Sequence, residues 1–130
     1  MRGKMSENNL RLSALPKTWL VDIDGTILKH NGYKIDGFDS LLSGVSEFFK
    51  HLNEQDFVIL LTARKQSELE NLKAFLRKNQ IRFDKIITDL PFGERILIND
   101  TKPSGLKTAF AINKQRDGKL KIKVKIDEKL

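Results

Sequence analysis

Apolar and polar positions alternate along this chain in blocks that change period. The run Thr18-Trp-Leu-Val-Asp-Ile-Asp24 is mostly apolar until Gly25-Thr26 stops it, which predicts a short buried strand closed by a tight turn. The segment Leu28 to Gly37 contains Asn31-Gly32 followed by Tyr33 and predicts a loop or small hairpin. From Asp39 onward Leu41, Leu42, Val45, Phe48, Phe49 and Leu52 recur mostly at spacings of three and four. That predicts an amphipathic helix with Asp39 or Ser40 as its N-cap. Phe57-Val-Ile-Leu-Leu61 is a second continuous apolar run, and it predicts a strand buried on both faces. Ser67 and Glu70 have capping-box spacing, and Leu69, Leu72, Phe75 and Leu76 continue as a helical stripe to about Asn79. Ile81–Thr88 and Ile96–Ile98 predict two further strands, and Thr108–Ile112 another after the Pro103-Ser104-Gly105 turn.

Strands that alternate with helices and are apolar throughout predict an α/β domain with a mainly parallel sheet covered on both faces. In such sheets ligands sit at the carboxyl ends of the strands. Asp22–Thr26, Thr62–Arg64 and Asn99–Lys102 all lie at or just past predicted strand ends, so these three groups are expected at one edge. Residues 1–16 lack periodicity and are expected to form a flexible N-terminal segment. Residues 17–113 carry the core. Residues 114–130 form a basic segment whose Lys119–Ile126 alternation predicts an edge strand with protective lysines.

With 130 residues the chain is expected to build one core. No run is long and apolar enough to span a bilayer and no secretory signal is visible, so no membrane partner and a cytoplasmic location are expected. The absence of cysteine excludes disulfide and thiolate chemistry. The net charge of +7 raises the question of nucleic acid, but its distribution answers it. Residues 1–17 contribute +3 and residues 114–130 contribute +4, so the intervening core is neutral. A basic groove built into the fold is therefore disfavoured, while basic tails remain.

The chemistry concentrates at Asp22-Ile23-Asp24-Gly25-Thr26. Two carboxylates two residues apart at a strand end repel one another, and a divalent cation resolves the conflict. Oxygen-only ligands favour magnesium over zinc. Gly25 permits a sharp turn, and the amides of that turn together with Thr26 can hold phosphate oxygens.

That pentapeptide behind Leu20-Val21 resembles the first motif of the haloacid dehalogenase-like (HAD) phosphohydrolase superfamily. Leu60-Leu61-Thr62-Ala63-Arg64 resembles the second, and Leu97-Ile98-Asn99-Asp100 the fourth, in the order the family requires. The resemblance runs from Thr18 to about Pro103. It implies a Rossmann-like three-layer sandwich and a magnesium-dependent phosphatase acting on a phosphate monoester. Asp22 would be the nucleophile that becomes an aspartyl-phosphate, and Asp24 the general acid and base. Thr62 would bind a phosphoryl oxygen. Gly25, Thr26, Ala63, Arg64 and Arg95 would lie around the phosphate, while Asp22, Asp24, Asp100 and Asn99 would surround Mg2+. The family's phosphate-neutralising cation is open between Lys102, Arg95 and Lys85. Lys102 is favoured because it follows the predicted strand Ile96–Ile98, whereas Arg95 precedes it. Where the fourth motif often has two acids, this chain has Asn99, which orients water without adding charge.

The intervals Thr26–Phe57 and Arg64–Arg95 are too short for a cap domain, leaving Leu28–Gly37 as a flap. The open site would be covered by a bulky substrate or by a second subunit in a homo-oligomer. Leu90–Pro103 is similar to small capless members linked to capsule and surface-polysaccharide biosynthesis in bacteria, which implies a sugar phosphate as substrate. His30 follows the first motif and is a candidate substrate contact, while His51 falls on the predicted helix. Two readings stand beside this one. The first is a phosphatase acting on nucleic-acid ends gripped by the basic tails, and the second a non-catalytic HAD-fold binding module, supported by Asn99.

Overall fold

The computed structural model describes residues 8–130. Its elements are β1 (Asn8–Leu12), β2 (Thr18–Asp22), α1 (Gly32–Ile35), α2 (Val45–Lys50), β3 (Phe57–Leu61), α3 (Leu69–Lys78), β4 (Lys85–Ile87) and β5 (Ile122–Ile126). The result is a small α/β domain with parallel sheets and no closed barrel, consistent with a Rossmann-like layout. The main sheet runs β2-β3-β4 with every pair parallel.

In the main sheet Asp22 pairs with Leu61, and Leu61 with Ile87, so all three carboxyl ends finish at one level. Strand order follows chain order, and right-handed crossovers then place α2 and α3 on the same face. Val45 and Phe49 of α2 and Leu72 and Leu76 of α3 accordingly share one core cluster with Val21, Val58 and Leu60. The residues in between point the other way, and Leu20, Phe57 and Ile87 remain exposed. The expectation of a sheet covered on both faces, and of a third layer, is therefore not met among the described residues. A second layer of helices needs a chain that returns across the sheet, and the chain after β4 does not do so.

Neither Ile96–Ile98 nor Thr108–Ile112 forms a strand. A strand needs an edge to pair with, and here the segment closes on itself instead. The Asn99 side-chain amide donates to Thr108 Oγ1 at 2.8 Å, and Lys102 N donates to Leu106 O at 2.9 Å across a turn. Ile96 and Ile98 are left 83% and 91% exposed, so this apolar run contributes nothing to the core.

The helix expected from Asp39 starts at Val45. Before it, Leu28 and Leu41 form an antiparallel bridge, and Gly44 turns the chain with φ 84°. An added Cβ on Gly44 would sit 2.1 Å from the Leu120 carbonyl oxygen, so the glycine also admits the C-terminal segment. At α3 the Ser67–Glu70 spacing does not produce a side-chain cap; a 3-10 turn over Gln66–Glu68 leads into the helix. Of the segment 1–16 expected to be flexible, residues 1–7 lie outside the described residues, and residues 8–12 form β1. This strand pairs in parallel with β5 in a two-stranded ribbon, joined also by an Arg11–Asp127 ion pair. The alternating run Lys119–Ile126 thus becomes a strand at Ile122–Ile126, outside the main sheet. Among the described residues no helix is long and apolar enough to cross a membrane.

Candidate active site

The carboxyl edge of the main sheet carries the first two sequence motifs side by side. Ile23 N donates to Leu61 O at 2.9 Å and Thr62 N to Ile87 O at 3.0 Å, extending the ladder one residue past each strand. Beyond it Gly25 turns with φ 89°, while Thr26, Ile27 and Leu28 all donate their amides to Ile23 O. The turn folds Thr26 back on the strand end, and its hydroxyl donates to Asp22 Oδ2 at 3.0 Å.

Asp22 and Asp24 face different partners. Arg95 Nη1 donates to Asp22 Oδ1 at 2.6 Å, with both side chains about a third exposed. Asp24 Oδ2 accepts from the hydroxyl of Thr62 at 2.8 Å, and Asp24 Oδ1 from Arg64 Nε at 2.9 Å. Thr62 is fully buried, and its hydroxyl also accepts the Arg64 amide at 3.0 Å.

Arg64 is the most enclosed cation of the site, 7% exposed. Its fork holds both Asp39 oxygens, at 3.1 and 2.7 Å, and its guanidinium carbon lies 3.9 Å from the centre of the Tyr33 ring. Burial alone would lower the guanidinium's pKa. The hydrogen bonds and charges of Asp39 and Asp24 outweigh it and hold the group well above its ordinary value. Asp39, expected as a helix cap, is instead the second carboxylate on Arg64. Its role depends on a contact across 25 positions, which no local pattern reveals. Tyr33 places the expected flap over that guanidinium.

The three cation candidates separate cleanly. Arg95 reaches Asp22. Lys102, favoured from the sequence, sits exposed in the Lys102–Leu106 turn and makes no ion pair among the described residues. The preference for it assumed a strand over Ile96–Ile98 that would have carried Arg95 too low, and without that strand Arg95 is free to reach up. Lys85 begins β4, opposite Ile59 and two positions below the edge.

The fourth motif is not brought to this edge. The Thr108 hydroxyl donates to the Asp100 backbone carbonyl, and Asn99 is bonded to the same threonine. Among the described residues no three His, Cys, Asp or Glu side chains gather where they could hold a metal ion. Both Asp24 oxygens are occupied by Thr62 and Arg64, and both Asp22 oxygens by Arg95 and Thr26. The arrangement therefore does not fit a divalent ion held by Asp22, Asp24 and Asp100 with Asn99 alongside. The cause is again the unpaired 90–111 segment, which carries Asp100 and Asn99 away from the strand end.

A part of the site comes from a stretch the sequence patterns had set outside the core. A cleft of about 270 Å³ is lined by Asp22, Asp24, Gly25, Thr26, Lys114 and Arg116. Lys114 Nζ donates to Gly25 O at 3.2 Å, Gln115 O at 2.9 Å and Gly118 O at 2.6 Å. Burial lowers its pKa below the ordinary 10.5, against the opposing pull of Asp117 and Asp22. Asp117 N also donates to Gly25 O, at 2.8 Å, and its carboxylate accepts the His30 amide. Basic alternation in the sequence signalled a charged tail there, but not that it docks on the Asp22–Thr26 turn. Of the other candidates, Ala63 lies in the loop between Thr62 and Arg64. His30 packs beside the Gly25 turn with its Nδ1 buried and unpartnered, and His51 is exposed at the end of α2.

No protein-family model matches this sequence, and neither the curated proteins nor the solved structures searched give a match to it.

Proposed function

We propose that this chain is a phosphohydrolase of the HAD type that cleaves a phosphate monoester through an aspartyl-phosphate on Asp22. The observation that carries the reading is the meeting of Asp22, Asp24 and Thr62 at one sheet edge, beside a glycine turn and the four cations Arg64, Arg95, Lys114 and Arg116. Asp22, at the strand end, is the nucleophile. One of its oxygens forms the new bond to phosphorus while the bond from phosphorus to the leaving alcohol breaks. As substrate enters, Asp24 takes up a proton from solvent on the oxygen it releases from Arg64, and gives that proton to the departing oxygen. It then takes one from the water that releases inorganic phosphate and restores Asp22. As substrate enters, Arg95 exchanges the Asp22 oxygen for a phosphoryl oxygen, and Lys114 adds positive charge from the cleft lining. A sugar phosphate is the substrate class this reading favours. Magnesium, which the resemblance implies, takes no part in these steps because the described residues do not assemble its ligands.

The test is hydrolysis of a panel of phosphate monoesters, with and without magnesium, by the unmodified chain and by Asp22→Asn and Asp24→Asn. Both variants should lose about 100-fold or more of turnover while remaining folded. Undiminished turnover in Asp22→Asn would remove the nucleophile. The missing third carboxylate favours a second reading, a binding module that retains the fold. Tight binding of inorganic phosphate with no turnover of any ester would select it.

A further inference from the structure

Five of the six arginines among the described residues have a partner. Arg11 holds Asp127, Arg64 holds Asp24 and Asp39, Arg77 lies over Phe83, Arg82 donates to backbone carbonyls and Arg95 holds Asp22. Arg77 and Arg116 make no side-chain hydrogen bond or ion pair among the described residues; Arg77 is covered by the Phe83 ring, whereas Arg116 stands on the wall of the Asp22 cleft. It is held there by its neighbours. Lys114 and Asp117 both donate to Gly25 O, Asp117 adopts φ 60°, and the Asp117 carboxylate is tied to the His30 amide. The Arg116 stem packs where a side chain on Gly25 would be, its Cγ 3.3 Å from that position.

The other charges of the cleft are already engaged. Arg95 is paired with Asp22, Arg64 with Asp24, and the Lys114 ammonium with three carbonyls. A phosphoryl group arriving at Asp22 meets Arg95 and the field of Lys114, which leaves Arg116 without a role in holding it. The cleft's 270 Å³ is at the small end of ligand pockets, suited to a compact ester. We infer that Arg116 is the seat for a second anionic group, so that the substrate is a small phosphate monoester whose alcohol part carries a carboxylate or another phosphate. This rests on the phosphohydrolase reading and narrows its substrate class. A guanidinium fork suits either group, because both accept two parallel N–H bonds.

Binding is measured by calorimetry on the full chain carrying Asp22→Asn, which prevents turnover. The probes are phenyl phosphate, 4-carboxyphenyl phosphate and 1,4-phenylene bisphosphate. The two esters with a second anionic group should bind about tenfold tighter than phenyl phosphate at low salt, the worth of one charge-assisted bidentate contact. In Arg116→Gln that advantage should fall below about twofold, and in Arg116→Lys, which keeps charge without the fork, to about threefold. Equal affinity for all three esters, an advantage that survives Arg116→Gln, or no binding at all would overturn the inference. Hydrolysis of phenyl phosphate by the unmodified chain is scored separately. An Arg116-dependent advantage without any turnover keeps the seat and discards the catalysis.

Discussion

Replacing Arg64 by methionine should be the most damaging single change at the site. The side chain is 5% exposed and joins carboxylates from two loops, Asp24 after β2 and Asp39 before α2. Methionine fills similar space, but it leaves Asp24 and Asp39, whose side chains are 18% and 10% exposed, without their shared counter-charge. Removing one partner of a buried ion pair costs about 3–5 kcal/mol, because the remaining charge is still desolvated. The contact with Tyr33 is lost as well, which adds roughly 0.5–2 kcal/mol. For a domain of this length that corresponds to a fall of about 13–26 °C in Tm by differential scanning calorimetry. The double variant Arg64→Met/Asp39→Asn should recover part of the loss, since it removes one of the two stranded charges. Arg64's own charge cannot be the source of any pH dependence in the unmodified chain. A raised guanidinium pKa gives stability that is complete below the unfolded value, itself far above neutral pH, and is lost only as pH rises through the still higher folded one. A Tm for Arg64→Met within about 2 °C of the unmodified chain would refute the idea that this guanidinium is the electrostatic centre of the edge.

Three other outcomes follow from the same geometry. Gly44→Ala should destabilise by about 2–4 kcal/mol in urea titration, since φ 84° and the Leu120 carbonyl both oppose a Cβ. Gly37→Ala, with a similar φ and open surroundings, should cost about 1–2 kcal/mol, and equal costs at the two sites would discount the Leu120 contact. The Asp127 carboxyl is held below its ordinary 3.8 by the Lys129 amide and Arg11, so its contribution is present above that value and lost as pH falls through the lowered one. Hydrogen exchange in β5 should accelerate in that acid window, and Asp127→Asn should abolish the pH dependence. Magnesium at millimolar concentration should raise Tm by less than about 1 °C if Asp100 stays where the 90–111 segment puts it. A shift of several degrees that vanishes in Asp100→Asn would show that the segment repacks around the ion.

The strands and helix legible in the sequence are those whose burial is decided locally. β2 and β3 are continuous apolar runs ended by turn residues, and α3 carries an unbroken stripe from Leu69 to Leu76. The same reading placed Asp22, Asp24 and Thr62 at a common edge, because parallel strands align their carboxyl ends. It misjudged α2, where the apolar spacing continues back to Leu41 although Leu41 bridges Leu28 and Gly44 breaks the helix. Ile96–Ile98 has the composition of a strand, but composition does not supply a neighbour to pair with. Asp39 and Lys114 escaped because each meets its partner only across the chain, 25 and 89 positions away. Charge in the last segment was visible; its seat on the Gly25 turn was not.

The β1–β5 ribbon joins residues 116 positions apart at Arg11 and Asp127. Closing so long a loop is entropically unfavourable and rewards nothing until both strands exist, so this pairing should be among the last events of folding. Lys114 and Arg116 stand just upstream of β5, on the stretch that leads into the ribbon. A newly made chain could therefore bring Asp22 and Thr62 together early and still lack one wall of its cleft until the clasp shuts.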